Sequence, residues 1–254
     1  MPPKLMDTSH SANVLLALTL GLVAAAANLA GGFLIIRRQW SREFLRYFIA
    51  LGAGFMLATT LLEMVPESVH LRGTGALTYV LGGYLMVHLF EHTLAPHFHF
   101  GEETHKEEMA HAHASYAALL GLVIHTFFDG VAIASGMLVS AALGVLIFLA
   151  IFLHKFPEGF TVASLMLASG QSRRVAFTSS AILGGATFAG VGLMYLLRAE
   201  VSDALPISAG VTLYVAASDL MPEVNQEPHA RTALLVFIGA ALMLFLRWAF
   251  RFQF

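Results

Sequence analysis

His125-Thr-Phe-Phe-Asp129-Gly130 and His154-Lys-Phe-Pro-Glu158-Gly159 are two matching polar stretches within apolar sequence, and both read His-x-Phe-x-acid-Gly. In each, the histidine precedes the carboxylate by four residues, a little more than one turn of an α-helix. The two side chains of each motif therefore point to one face of a helix. If both stretches cross a membrane, four metal-ligating side chains meet in its middle. Whether the stretches do cross a membrane depends on the apolar sequence around them.

The amino-acid composition is that of a membrane protein. Hydrophobic residues make up 57% of the 254 residues and charged residues only 12%, whereas about a quarter of an average soluble domain is charged. The mean hydropathy of +0.74 and apolar runs of about 20 residues indicate a polytopic helical protein that lies in the lipid bilayer. The net charge of −2 without a long basic face argues against nucleic-acid binding. Cysteine is absent, which excludes disulfides, thiolate zinc sites and thiol nucleophiles.

Eight apolar segments are each long enough to cross about 30 Å of hydrocarbon. In lipid, only helices and closed barrels satisfy every backbone polar group, and runs of this length fit helices. We therefore predict an all-α polytopic membrane protein, a single transmembrane domain over residues 1–254. Its first apolar run is expected to be a retained span rather than a signal peptide. The predicted spans are 13–36, 44–69, 75–95, 115–137, 141–168, 174–197, 204–225 and 231–250.

Basic residues in the short loops set the predicted orientation, because cytoplasmic loops are enriched in lysine and arginine. The loops after the first and fifth spans carry arginines, and alternation of the eight predicted spans puts both loops on one face. We expect that face to be cytoplasmic, at the cell (inner) membrane, with both termini outside the cytoplasm. The arginines concerned are Arg37, Arg38, Arg42, Arg46, Arg173 and Arg174.

The longest loop, residues 96–114, falls on the same predicted cytoplasmic face and is rich in histidine and glutamate. Such a segment either collects or senses metal ions in the cytoplasm, or is a solvated, disordered connection. The sequence leaves both interpretations open. The histidines of this loop are His97, His99, His105, His111 and His113.

A second repeat links the second and seventh predicted spans. Glu63-Met-Val-Pro66-Glu67 resembles Asp219-Leu-Met-Pro222-Glu223, and in the predicted topology the second span runs outward and the seventh inward. The repeated acid-x-x-Pro-Glu pattern then lies near opposite faces of the membrane. Spans one to three and six to eight would be inverted repeats around the central pair, a 3+2+3 architecture typical of transporters with a midplane site.

The acids of this repeat suggest a route for cations. Glu63 and Glu67 would form an acidic mouth on the outer side, and Asp219, Glu223 and His229 would receive a cation on the inner side. The alternative interpretation is that acids at helix ends merely cap the helix or meet water.

The central motifs have the composition of a metal site. Their histidines and carboxylates lie near mid-membrane, where a charged side chain costs roughly 2.5–3.5 kcal/mol and is rarely kept without a function. Two imidazoles and two carboxylates suit a borderline divalent ion such as Zn²⁺, and the carboxylates neutralise its charge. A single histidine in an apolar helix is more often a packing residue. The duplicated pattern nevertheless favours metal binding by His125, Asp129, His154 and Glu158.

Two further features of the motifs concern the helices that carry them. Pro157 has no N–H to donate to the carbonyl of Leu153, so we expect the fifth helix to loosen there. Gly130 and Gly159 directly follow the two acids, and we expect them to let the fourth and fifth helices approach each other closely.

These motifs resemble those of the ZIP divalent-metal transporters, with His-x-x-x-acid-Gly in the fourth span and His-Lys-x-Pro-Glu-Gly in the fifth. Eight spans, outward termini, a variable histidine-rich loop between spans three and four, and Pro-Glu endings on spans two and seven match as well. The resemblance covers essentially the whole chain and implies one transport domain. It also implies that His125, Asp129, His154 and Glu158 match the ligands of the family's primary transport site.

The sequence departs from the binuclear members of that family at three points. Thr126 stands where an asparagine is typical, and Lys155 stands where the residue after the second-motif histidine is typically acidic. The sixth predicted span, 174–197, has no acid in its interior. A buried ammonium at Lys155 would repel a second cation and take its electrostatic place, so we expect one metal ion at the core.

We therefore expect a carrier that moves a divalent transition metal toward the cytoplasm by alternating access. Histidine ligands favour Zn²⁺, with Fe²⁺, Cd²⁺ and Mn²⁺ as further substrates, over Ca²⁺ and Mg²⁺. No organic cofactor and no enzymatic activity are expected, and the sequence leaves a homodimer open. A metal exporter is a second hypothesis, although such families usually have six spans and a soluble C-terminal domain. An intramembrane metalloenzyme is a third, although the chain lacks His-Glu-x-x-His.

Overall fold

The computed structural model describes residues 5–37, 42–94, 112–196, 201–225 and 230–251. Within these ranges nearly every residue is helical, and none is part of a strand. The predicted all-α fold is therefore confirmed.

The helical elements follow the predicted spans closely, and α6 has the bounds that the sequence predicts. In the described part of the chain, two π-helical segments and one 3₁₀ turn interrupt the α-helices. The α-helices are α1 (Leu5–Arg37), α2 (Arg42–Thr59), α3 (Val65–Arg72), α4 (Ala76–Leu94), α5 (Ala112–Val139), α6 (Ala141–Ala168), α7 (Arg173–Leu196), α8 (Val201–Tyr214), α9 (Met221–Asn225) and α10 (Ala230–Arg251). The π segments are Thr60–Met64 and Val215–Leu220, and the 3₁₀ turn is Gly73–Gly75.

Seven helical stretches of the described ranges are long and apolar enough to cross a membrane, as expected of a polytopic membrane protein. The longest, Arg46–Thr93, has 48 residues. As one straight helix it would be about 72 Å long, more than twice the thickness of the hydrocarbon core. At Gly73 the backbone leaves the helical conformation with a φ of 67°, and this divides the stretch into the predicted second and third spans. The count of eight crossings stays a prediction.

The long helices pack into two groups of four. In the first group, α1 packs against α6 and α7, and α5 packs against α6 and α7. In the second group, α2 packs on α10 and α4 packs on α8. The groups meet where α2 contacts α6 and where α5 contacts α8. Both motif-bearing helices, α5 and α6, therefore belong to the first group.

Glycines lie at the closest helix contacts of the first group. A Cβ at Gly130 would overlap the Thr187 carbonyl of α7, and a Cβ at Gly159 would overlap the Asn28 carbonyl of α1. The expectation that these glycines bring the fourth and fifth helices together is therefore wrong. Each glycine lies about 100° around its helix from the preceding acid. Gly130 therefore faces α7, and Gly159 faces α1.

The repeated acid-x-x-Pro-Glu sequences also share a local structure. The π segment Thr60–Met64 ends two residues before Pro66, and the π segment Val215–Leu220 ends two residues before Pro222. Proline has no N–H for the α-helical ladder, so the preceding turn loses a hydrogen bond and widens. The shared π segment supports the inverted 3+2+3 architecture, which itself stays a prediction.

Two apolar clusters lie before and after the motifs along the helix axes. One contains Ile133 of α5 and Ile151 of α6, together with Leu205 of α8. The other contains Leu122 of α5 and Met166 of α6, together with residues of α2 and the second π segment. Because α5 and α6 run in opposite directions, the motifs lie between the clusters, with apolar packing toward both membrane faces.

Replacing Gly210 of α8 with alanine should destabilise the protein by about 1–3 kcal/mol, because the added Cβ would overlap the Val80 carbonyl of α4. Gly82→Ala on α4 is the matched control, since a Cβ there meets nothing within 4 Å. Thermal unfolding of the detergent-purified protein measures both variants. Equal midpoints for the two variants would contradict the close α4–α8 contact.

Candidate metal centre

The two motifs face each other across the α5–α6 contact. Ser140 alone separates the two helices, and its side chain accepts a hydrogen bond from the N–H of Leu143 to cap α6. The chain therefore reverses there and aligns the motifs. His125, Asp129, His154 and Glu158 are all buried, and one ligand atom of each lies within 4.8 Å of the others.

Asp129 is the centre of this group. Its Oδ2 lies 3.1 Å from His125 Nε2 and 3.3 Å from His154 Nε2. The carboxylate is completely buried, and its other oxygen, Oδ1, has no hydrogen-bond partner among the described residues. A buried carboxylate oxygen needs a donor or a cation. Oδ1 is therefore the atom best placed to accept an incoming metal ion.

The orientation of His154 suits metal ligation. Its Nδ1 lies 3.2 Å from the carbonyl oxygen of Ala150, one turn earlier in α6. A carbonyl oxygen can only accept a hydrogen bond, so this contact suits a ring form that carries a proton on Nδ1. Nε2 is the atom that points toward Asp129. A backbone carbonyl that fixes the tautomer in this way is typical of metal-binding histidines.

Lys155 places a cation against both carboxylates. Its Nζ lies 2.6 Å from Asp129 Oδ2, 2.5 Å from Glu158 Oε2 and 3.2 Å from the Thr126 hydroxyl oxygen. The Thr126 hydroxyl in turn donates to Glu158 Oε1. The two residues that depart from the binuclear pattern thus lie at the site itself. Together they satisfy both oxygens of Glu158.

Pro157 changes α6 less than expected. The helix runs without a break from Ala141 to Ala168, so the loosening is limited to the hydrogen bond that proline cannot donate. The carbonyl to which Pro157 cannot donate belongs to Leu153, and a Cβ added at Gly52 of α2 would lie 3.6 Å from its oxygen. The α2–α6 contact, where the two helix groups meet, therefore lies next to the candidate centre.

The predicted outer acids have partners that the sequence did not reveal. Glu63 Oε1 lies 2.6 Å from Arg247 Nε of α10, an ion pair between the first π segment and the last helix. Glu67 lies 3.4 Å from His70 Nδ1. On the same side of the fold, Arg72 pairs with Asp203.

On the other side, Asp219 lies in the second π segment and is buried, and its Oδ1 has no hydrogen-bond partner within the described ranges. Glu223 lies in α9, and its side chain is not described. His229 lies outside the described residues, as do His97, His99, His105 and His111. His113 lies in the first turn of α5, but its side chain is not described. The metal-collecting loop therefore stays a prediction.

Sequence reasoning missed Asn28, which is completely buried in α1, with neither amide atom hydrogen-bonded among the described residues. The sequence did contain a signal of its importance, because Asn28 is the one polar residue between Thr19 and Arg37. A polar residue in the middle of an apolar span normally has a reason to be there.

The chain is similar in sequence to known zinc transporters. The model of the ZIP Zinc transporter family matches residues 99–247, which include both motifs. The zinc transporter ZupT of Salmonella heidelberg (strain SL476) is 28% identical over 247 residues, covering 91% of this chain and 95% of that protein. The zinc transporter ZupT of Salmonella newport (strain SL254) is 28% identical over 243 residues, covering 89% and 93%.

Replacing Lys155 with methionine should destabilise the ion-free protein by about 3–5 kcal/mol, because two buried carboxylates lose their shared cation. Thr126→Val is the control. It removes the hydrogen bonds that the Thr126 hydroxyl makes with Glu158 and Lys155 but removes no charge, and it should cost less, about 1.5–3 kcal/mol. Denaturant unfolding in the presence of a chelator measures both. A Lys155→Met protein as stable as Thr126→Val would show that Lys155 does not compensate the acids.

Proposed function

The chain belongs to the ZIP zinc transporter family and is thus a divalent metal transporter, and we propose that it moves zinc toward the cytoplasm by alternating access through one midplane site. The observation that carries this proposal is the meeting of His125, Asp129, His154 and Glu158 in the interior of the helix bundle. Ionisable side chains are costly in the bilayer core, and those that are kept there mark substrate or ion pathways.

The donor set favours zinc. Two imidazole nitrogens and two carboxylate oxygens match the tetrahedral coordination that Zn²⁺ adopts in proteins. Cd²⁺, Fe²⁺ and Mn²⁺ accept the same donors, whereas Ca²⁺ and Mg²⁺ prefer shells of oxygen alone. The metal ion is the substrate in this proposal, and no organic cofactor is needed.

Alternating access follows from the apolar clusters on either side of the site. The cluster with Ile133 and Ile151 closes off one side, and the cluster with Leu122 and Met166 closes off the other. An ion can enter or leave only when one cluster separates. All four ligands lie on helices of the first group, so sliding of that group against the second would expose the site to each side in turn.

The pathway acids fit this route. An arriving cation would meet Glu63 and Glu67 first and would have to compete with Arg247 for Glu63. Beyond the site, Asp219 offers a buried carboxylate oxygen, and Glu223 and His229 follow it along the chain. The arginine-rich loops argue that the second end is cytoplasmic. An exporter would use the same residues in reverse, and only a flux measurement separates the two directions.

One ion per chain is proposed because Lys155 already neutralises the site. Its ammonium contacts Asp129 and Glu158, the two acids that a second ion would need to share. A second divalent ion beside it would meet direct charge repulsion in a medium of low dielectric constant.

A metalloenzyme is disfavoured by the same geometry. Four protein ligands complete a tetrahedral shell and leave no position for a catalytic water. The reversed pattern His88-Leu-Phe-Glu91-His92 occurs in α4 and has the spacing of another protease motif. Among the described residues, however, only the central group brings three or more ligand side chains within reach of one ion.

Zinc uptake into proteoliposomes tests the site assignment. Asp129→Ala and Glu158→Ala should each reduce uptake of radiolabelled Zn²⁺ to the protein-free background, because each removes a ligand and a compensating charge. Asp203→Ala is the control, since that acid pairs with Arg72 away from the site. Parental uptake by both ligand variants would refute the assignment, and uptake only in the opposite orientation would favour the exporter.

The metal content of the purified protein tests the single-ion claim. Elemental analysis after equilibration with zinc should give one tightly bound ion per chain in a variant whose loop histidines, His97, His99, His105, His111 and His113, are replaced with alanine. Lys155→Glu in that background should admit a second ion, because it replaces the competing cation with a ligand. Two ions in the variant that retains Lys155 would contradict the claim.

A further inference from the structure

Asn28 has an unexplained carboxamide in the densest part of the bundle. Its side chain is completely buried in α1, and neither Oδ1 nor Nδ2 has a hydrogen-bond partner within the described ranges. An unbonded amide in an apolar interior is unfavourable, and an apolar side chain of the same shape would avoid that penalty. A partner in another state of the protein would explain why the position is polar.

The packing of α1 places Asn28 against α6, the helix that carries the second motif. Its carbonyl lies against the Cα of Gly159, the residue that follows Glu158. Ala24, one turn earlier on the same face of α1, packs in the apolar cluster with Ile133 and Ile151 of α5 and α6. This face of α1 therefore looks toward the two motif helices rather than toward lipid.

Asn28 contacts α6 next to Glu158, one of the acids that the Lys155 ammonium contacts. The Lys155 side chain extends along α6 by about one turn, since its Nζ reaches the carboxylate of Glu158 three residues later. The main chain of Asn28 packs on α6 at Gly159, the neighbour of Glu158. An unbonded acceptor on α1 and the Lys155 cation on α6 thus lie on adjacent helices.

Binding of a divalent ion at the candidate centre would create a need for the Asn28 acceptor. Lys155 is satisfied by Asp129, Glu158 and Thr126. A divalent ion on the same carboxylates would repel the ammonium strongly, since little water screens the two charges. The ammonium must turn away from the ion, and in an apolar interior it needs a new oxygen.

We infer that Asn28 is a positioning residue of the transport site, and that its Oδ1 accepts the Lys155 ammonium when a divalent ion binds. The inference rests on the proposed function, because it requires the ion to occupy the His125–Glu158 centre. It adds a residue of α1 to a site otherwise built from α5 and α6, and it gives the unbonded amide a partner.

Asn28→Leu tests this role, because leucine has a similar volume and no acceptor. The ion-free variant should unfold at the parental temperature or above it, since an unsatisfied polar group is removed. Its dissociation constant for Zn²⁺ should rise about ten- to a hundredfold, the value of a hydrogen bond to a charged group. Calorimetric titration of the detergent-purified protein with Zn²⁺ measures the constant. Asn28→Asp, which keeps an acceptor, should retain at least parental affinity.

A double-mutant cycle shows whether Asn28 acts through Lys155. In a Lys155→Met background, Asn28→Leu should leave the dissociation constant unchanged. Ser135→Ala is the control for an unbonded buried group on α5 outside the site, and it should leave zinc affinity at the parental value. Equal losses from Asn28→Leu with and without Lys155, or no loss in either background, would overturn the inference. Zinc affinity that is insensitive to Glu158→Ala would instead overturn the proposed function, and this role with it.

Discussion

The burial of two carboxylates in an apolar bundle is the constraint on which the rest of the structure depends. Asp129 and Glu158 are completely enclosed, and neither can stay charged there without a cation. Lys155 is one such cation, and the metal ion is proposed to be the other. Close packing at Gly130 and Gly159 and the apolar clusters on either side enclose the carboxylates. A positive charge inside the bundle must therefore compensate the two carboxylates.

The sequence predicted those parts of the fold and site that depend on local spacing. Helical periodicity put His125 with Asp129 and His154 with Glu158, and apolar run length predicted the long helices, because both properties are set by neighbours along the chain. Contacts between distant segments were not predictable in this way. The Arg247–Glu63 ion pair joins residues far apart in sequence, and nothing in either segment specifies the other. The prediction that Gly130 and Gly159 lie between the fourth and fifth helices was wrong for the same reason.

The two acid-x-x-Pro-Glu segments show how one local sequence can serve two environments. Both adopt a π segment before the proline, which is a consequence of the missing N–H and needs no tertiary contact. Their acids nevertheless differ. Glu63 is held by Arg247, whereas Asp219 is buried with one oxygen unbonded in the described part of the fold. The two acids therefore differ although their segments share a local structure, and of the two only Glu63 has a basic partner among the described residues.

Lys155 also bears on how a carrier releases its ion. Two carboxylates and two imidazoles in a medium of low dielectric constant would hold a divalent ion very tightly if nothing competed for them. Transport requires binding strong enough to capture the ion and weak enough to let it leave. A tethered ammonium that contacts both acids is a competitor always present at the site, and its return to them would accompany departure of the ion. If Asn28 holds the ammonium in the loaded state, the balance between the two positions of Lys155 sets the affinity. Selection can then adjust that affinity at Asn28 without altering a metal ligand.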